Sequence, residues 1–213
     1  MTLDFATARE NMVETQVRVN DVTDHGVQDA MGAVKRERLC PPGKQHLAYA
    51  ESSVEYAPGY SLMQPRDTAK LLQGLRPRHG ERALAIAAPY AAAVLNWIGL
   101  KATLRLPVGL EAGALIEALG ADGVPTVFGD LAALDENGPY DLIVVEGAVT
   151  HTPKAWLDML HLGGRLGVVE RSGPVGRARL YTRSVEGVVS DRLLFDATPP
   201  MLPGFTAAPA FSF

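Results

Sequence analysis

The sequence predicts an α/β domain with a mostly parallel central sheet and helices on both faces. Two observations carry this. From about residue 82 onward, short apolar runs alternate with helix-like stretches at the spacing of β–α–β units. One of these runs, Tyr140 to Glu146, holds Leu142, Ile143, Val144 and Val145 in succession. It lacks the alternation of a half-exposed strand and fits a strand buried on both faces. A chain of 213 residues, 47% of them hydrophobic, suits one such domain with a full core.

The elements follow in order. Phe5 to Val19 reads as a helix, with Phe5, Met12, Val13 and Val17 loosely on one side. Asp24 is placed to cap a second helix, Val27 to Val34. Cys40-Pro41-Pro42-Gly43 is a break, and Tyr49 to Tyr60 reads as irregular around Pro58-Gly59. Thr68 to Leu75 is a helix with Ala69, Leu71, Leu72 and Leu75 inward. Residues 1–75 are thus expected to form a mostly helical cap, and residues 76–213 the sheet domain of one integrated fold. In the second part, Arg82–Ala87, Lys101–Leu106, Pro125–Phe128, Tyr140–Glu146 and Arg165–Glu170 read as strands. Tyr90–Ile98, Leu110–Leu119 and Pro153–Leu160 read as helices between them. Ala178–Arg183 and Arg192–Phe195 read as two further, antiparallel strands. The proline-rich run Pro199 to Phe205 is expected to be irregular and to pack over the sheet edge through Leu202, Phe205, Phe211 and Phe213.

The net charge of −4 provides no global basic field for nucleic acid or anionic lipid. The N-terminus lacks the apolar core of a secretory signal, and no stretch approaches the roughly 18 apolar residues of a spanning helix. The chain is therefore expected to be soluble and cytoplasmic, with no nucleic-acid and no membrane partner. The single cysteine, Cys40, excludes an intrachain disulfide and has no histidine or acid near it in sequence, so it reads as a structural thiol. The histidines at 25, 46, 79, 151 and 161 show no metal-ligand spacing. Glu146, ending a buried strand, is either a functional carboxylate or one held by a structural hydrogen bond. Arg105 is either a ligand contact or a solvated strand-end arginine. Arg76-Pro77-Arg78-His79 is a short basic loop, read as solvated.

Several stretches, taken in order, give the chain a family resemblance. They are Ala8-Arg9-Glu10-Asn11-Met12-Val13 with Gln16-Val17; Asp24 to Val34 followed by Arg36-Glu37-Arg38; Ala48-Tyr49; and Ser61-Leu62-Met63-Gln64-Pro65. Gly129-Asp130, Tyr140-Asp141-Leu142-Ile143 and Gly163-Gly164-Arg165-Leu166 complete the series. Together they resemble the protein-L-isoaspartate O-methyltransferases over almost the whole chain. The resemblance implies a Rossmann-like methyltransferase sandwich and S-adenosylmethionine as cofactor. It implies, as activity, methyl transfer to the α-carboxylate of isoaspartyl residues in damaged peptides or proteins. Catalysis would rest mainly on holding the carboxylate in line with a reactive methyl. Ser61 and Met63 fall at the family's substrate motif, while Ala85, Ala87, Tyr90, Arg105, Asp130 and Glu146 fall at cofactor positions. Asp130 would contact adenine; its alternative is a turn or capping aspartate.

Some of those positions depart from the family pattern. The resemblance implies an acid and a Gly-x-x-x-Gly turn after the first strand, where the backbone passes close to the cofactor. Here the segment is Leu84-Ala85-Ile86-Ala87-Ala88-Pro89-Tyr90, with Ala85 at the acid, Ala87 at the first glycine and a turn about two residues shorter. Arg105 falls near the carboxylate that grips the ribose, and a guanidinium only donates. Met63 replaces a serine. Two lost hydrogen bonds to a charged group cost roughly 3–6 kcal/mol, or about 10²–10⁴ in affinity. Three readings follow: a family enzyme with a remodelled loop, a non-catalytic binding module with a protein partner and no cofactor, or a site in which Arg105 faces an anionic small molecule.

Overall fold

The computed structural model describes residues 4–134 and 136–206. The cap begins with α1 (Phe5–Met12), capped by Asp4, whose carboxylate accepts from the Ala6 and Thr7 amides. The helix expected to run to Val19 instead widens into a π-helical turn at Val13–Val17 and tightens into a 3₁₀ turn at Arg18–Asn20. Asp24 caps α2 (His25–Ala33) through the Val27 amide, as its position in the sequence suggested. The stretch read as irregular contains a hairpin, β1 (Val54–Ala57) and β2 (Tyr60–Leu62), turning at Pro58-Gly59. Helix α3 (Pro65–Leu75) starts on Pro65 at its first turn and ends on Arg76 in the left-handed conformation.

The second part alternates β3 (Arg82–Ile86), α4 (Pro89–Ile98), β4 (Lys101–Leu106), α5 (Gly113–Ala121), β5 (Thr126–Phe128), β6 (Tyr140–Val149), α6 (Lys154–Asp158) and β7 (Leu160–Glu170). It closes with β8 (Gly176–Arg183) and β9 (Val189–Ala197). The sheet order is β5-β4-β3-β6-β7-β8-β9. The five strands from β5 to β7 are parallel, and β8 and β9 are antiparallel. This is the expected α/β architecture. Leu142–Val145 of β6 lies alongside Ala83–Ile86 of β3 at the centre, with every side chain buried.

Helix α3 packs on β6 and β7, α4 on β3 and β4, and α2 bridges α3 and α4. Gly167 on β7 allows the close approach of α3, since a Cβ there would lie 2.9 Å from Leu75 Cδ1. The C-terminal segment packs through Leu202 and Phe205 and pairs in parallel with Ala148 near the end of the central strand β6, beyond the last β3 partner, Val145. The Ala148 amide donates to the Pro200 carbonyl and the Leu202 amide to the Ala148 carbonyl, each at 2.8 Å. Phe205 packs against Trp156 in a tilted arrangement, ring centres 5.3 Å apart. Phe211 and Phe213 lie outside the described residues.

Candidate functional site

In an open parallel sheet, ligands bind beyond the carboxyl ends of the strands where the connections diverge. Here that point lies at the ends of β3, β4 and β6. The β3–α4 turn is only Ala87-Ala88. Ala87 keeps the left-handed φ of 48° that the position demands, although it carries a Cβ. Its amide donates to the Arg105 carbonyl at 2.9 Å, and its carbonyl accepts from the Tyr56 hydroxyl at 3.3 Å. Ala87 is 1% exposed, and Ala88 and Tyr90 are fully buried. The hairpin residue Tyr56 therefore closes over the turn from outside.

Behind the turn lies a buried polar cluster. Arg36 is fully buried; its Nε donates to the Ala48 carbonyl at 2.8 Å and its Nη2 to the Met63 carbonyl at 2.5 Å. Its guanidinium sits 4.5 Å from the centre of the Tyr90 ring. Burial raises the Tyr90 hydroxyl well above the usual phenol range. Glu146 is also fully buried, and its Oε1 accepts from the Thr68 hydroxyl at 2.8 Å. Desolvation pushes its pKa up to about 7, against the pull of Arg36 and the Thr68 hydroxyl. Thr68 holds one oxygen of Glu146, while Oε2 is buried without a hydrogen-bond partner among the described residues.

The remaining candidates are scattered. Ala85 lies inside the sheet between Leu104 and Val144, fully buried. Arg105 is one residue short of the strand end and 6% exposed, not solvated. It donates to the Ala133 carbonyl at 3.2 Å and lies against Gly129, so it props the turn after β5 from beneath. The end of β4 is Leu106-Pro107-Val108, and the next acid, Glu111, is exposed. Asp130 is exposed and accepts from the Ala132 amide at 2.9 Å, the turn role that was its alternative. With Tyr60, Pro107, Val108 and Phe205 it lines a cavity of about 310 Å³. Ser61 pairs with Glu55 in the hairpin, half-buried, and Met63 is core at 1% exposure. Sequence reasoning passed over Tyr56, Tyr60, Thr68 and Arg36. The two tyrosines flanking Pro58-Gly59 were the available signal of a hairpin.

Residues 7–190 match the family model described as protein-L-isoaspartate(D-aspartate) O-methyltransferase. The chain belongs to this family. Protein-L-isoaspartate O-methyltransferase 1 of Rhodopseudomonas palustris is 35% identical over 202 residues, covering 89% of this chain and 80% of that protein. The Methylorubrum populi protein-L-isoaspartate O-methyltransferase is 35% identical over 208 residues, covering 94% and 98%. A solved Plasmodium falciparum structure, described as a putative protein-L-isoaspartate O-methyltransferase in complex with S-adenosyl-L-homocysteine, shares the fold. Its TM-score is 0.77 at 17% identity, covering 94% of this chain and 99% of that one.

Methyltransferases of this family use S-adenosylmethionine, and the residues present here do not fit it in the Rossmann manner. A family-type site needs an open glycine turn and a strand-end acceptor for the ribose. This chain offers a sealed alanine turn and an apolar strand end. No helix among the described residues is long and apolar enough to cross a membrane.

Proposed function

We propose that the chain is a protein-L-isoaspartate O-methyltransferase-like protein that acts as a binding module on that fold, without a family-type cofactor site. The family's chemistry moves a methyl group from S-adenosylmethionine to an isoaspartyl carboxylate. The match over residues 7–190 supports that class as the origin of the fold and of its substrate side. One observation carries the departure: Ala87, Ala88 and Tyr90, where the backbone would pass the cofactor, are at most 1% exposed, and the Tyr56 hydroxyl is bonded to the Ala87 carbonyl. The partner that fits the family is an isoaspartyl-bearing peptide or protein segment.

The second reading is a working methyltransferase on a rebuilt site. The cavity bounded by Asp130, Tyr60 and Pro107 favours it, because it lies where this fold holds ligands. The two separate in one assay: the protein is incubated with an isoaspartyl peptide and labelled S-adenosylmethionine at high concentration, beside a family enzyme as positive control. The proposal expects no incorporation above background. Incorporation that requires the isoaspartyl linkage, and is lost with the ordinary aspartyl peptide, establishes the second reading.

A further inference from the structure

The basic loop Arg76-Pro77-Arg78, read from sequence as a solvated turn, borders the largest cavity described in the molecule. This cavity measures about 660 Å³ between α3 and β9. A second lobe of about 380 Å³ shares Gly74, Arg76, Arg78 and Arg192 with it. Its basic loop precedes β3 in the chain, whereas Ala87 follows β3.

The backbone there is fixed by other groups. Arg165 donates to the Leu75 and Arg76 carbonyls, each at 2.8 Å, and its charge is met by Glu81 at 2.8 Å. The Arg78 amide donates to the other Glu81 oxygen at 2.9 Å. The side chains of Arg76, Arg78 and Arg192 are exposed and have no ion pair or hydrogen bond among the described residues. Lys70 adds a fourth cation, its ammonium 5.2 Å from the centre of the Phe195 ring. The one acid in the lining, Asp24, already caps α2. Leu194 and Phe195 supply an apolar floor. Gly74 makes the close approach possible: a Cβ there would meet Leu194 Cδ1 at 2.7 Å.

Four cations face one carboxylate, Asp24, in this groove, none of them in an ion pair among the described residues, on a chain whose net charge is −4. Like charges so placed repel one another, and an anion relieves that repulsion. Three guanidinium forks match phosphate oxygens in pairs, and their combined charge suits a ligand carrying several negative charges. The cavity has the size of a small-molecule site rather than of a track for a long strand. We propose that this groove binds a small organic oligophosphate, its phosphates on Arg76, Arg78 and Arg192 and its organic part on Leu194 and Phe195.

The test is titration calorimetry at fixed ionic strength with tripolyphosphate, ATP and, as a carboxylate control, citrate. The wild type is compared with Arg78→Ala/Arg192→Ala and with Arg177→Ala, an exposed arginine outside the groove. The expected result is saturable one-to-one binding of ATP, tighter than tripolyphosphate, about tenfold or more weaker in the double variant and unchanged in R177A. Both substituted arginines are exposed, so circular dichroism is expected to show an intact fold. Absence of saturable phosphate binding overturns the proposal, as do equal affinities in the double variant or citrate binding as tightly as ATP. A single-stranded oligonucleotide and an acidic peptide are titrated in parallel; binding of either one without ATP also overturns it.

Discussion

The two ends of strand β3 have opposite fates. At its carboxyl end, beyond Ile86, the turn is buried among the protein's own groups, beside the cavity bounded by Asp130, Tyr60 and Pro107. Tyr56 seals the turn, Arg36 and Tyr90 stack beneath it, and Glu146 is held by Thr68. At its amino end, before Arg82, three arginines stand without partners around an open groove. In the first region the charges are buried and only partly compensated, with Arg36 Nη1, the Tyr90 hydroxyl and Glu146 Oε2 lacking a hydrogen-bond partner among the described residues; in the second the charges are exposed. The contrast sets a buried turn, where the family resemblance places the cofactor loop, against an open groove lined by unpaired cations.

If the closed end is structural, its disruption must cost folding energy. The largest effect is expected from Arg36→Met. It frees the Ala48 and Met63 carbonyls and leaves Glu146 without its buried counter-charge, at a cost of about 3–5 kcal/mol. Urea denaturation at neutral pH measures this, and a loss under about 1 kcal/mol would mean that the cluster is not what holds the closed end.

Glu146→Gln comes next. The folded-state pKa of about 7 lies above the ordinary value of 4.5, so in that interval the folded protein keeps a proton that the unfolded chain gives up. The stability contribution is full below about pH 4.5 and falls as pH rises through 7, by about 3 kcal/mol in total. The wild type should lose that much relative to E146Q between acid and mildly alkaline pH. Parallel pH profiles for the two proteins would place an unburied carboxylate at this position.

A smaller effect is expected at Gly147, where φ is 123° and a Cβ would lie 2.6 Å from Leu202 Cγ. Gly147→Ala should cost about 2–3 kcal/mol and loosen the C-terminal segment, seen as faster amide exchange at Leu202. Unchanged exchange would show that this segment does not depend on its contact with β6. The smallest is Ala87→Gly. An ordinary Ala-to-Gly change destabilises, but the left-handed φ of 48° reverses the sign here. A gain of up to about 1 kcal/mol in thermal unfolding is expected, and a loss would contradict the strained turn.

Much of the fold was legible in the residues. The uninterrupted Leu142–Val145 run announced a central strand, and Asp24 announced the cap it makes. The β1–β2 hairpin was passed over because strands of four and three residues offer too few alternations, and its outward positions are Glu55 and Ser61. The bounds of β4 were legible, but the contacts of Arg105 were not, because the Ala133 carbonyl it meets lies 28 residues away; β6, read as ending at Glu146, runs on to Val149. The part played by Arg36 was not readable, because its acceptors lie 12 and 27 residues away and a local pattern carries no trace of them. The C-terminal segment was rightly denied a long strand, but only the fold shows that Met201 bridges in parallel to Ala148 of β6.

The central claim is that the turn at Ala87-Ala88 has closed against the family cofactor. Titration calorimetry of the purified protein with S-adenosylhomocysteine tests it most directly, because that molecule keeps the contacts of the cofactor without its reactive methyl. The account predicts no saturable heat at millimolar ligand. Micromolar one-to-one binding would contradict it, show that the turn opens to admit the cofactor, and return the chain to the working methyltransferases of its family.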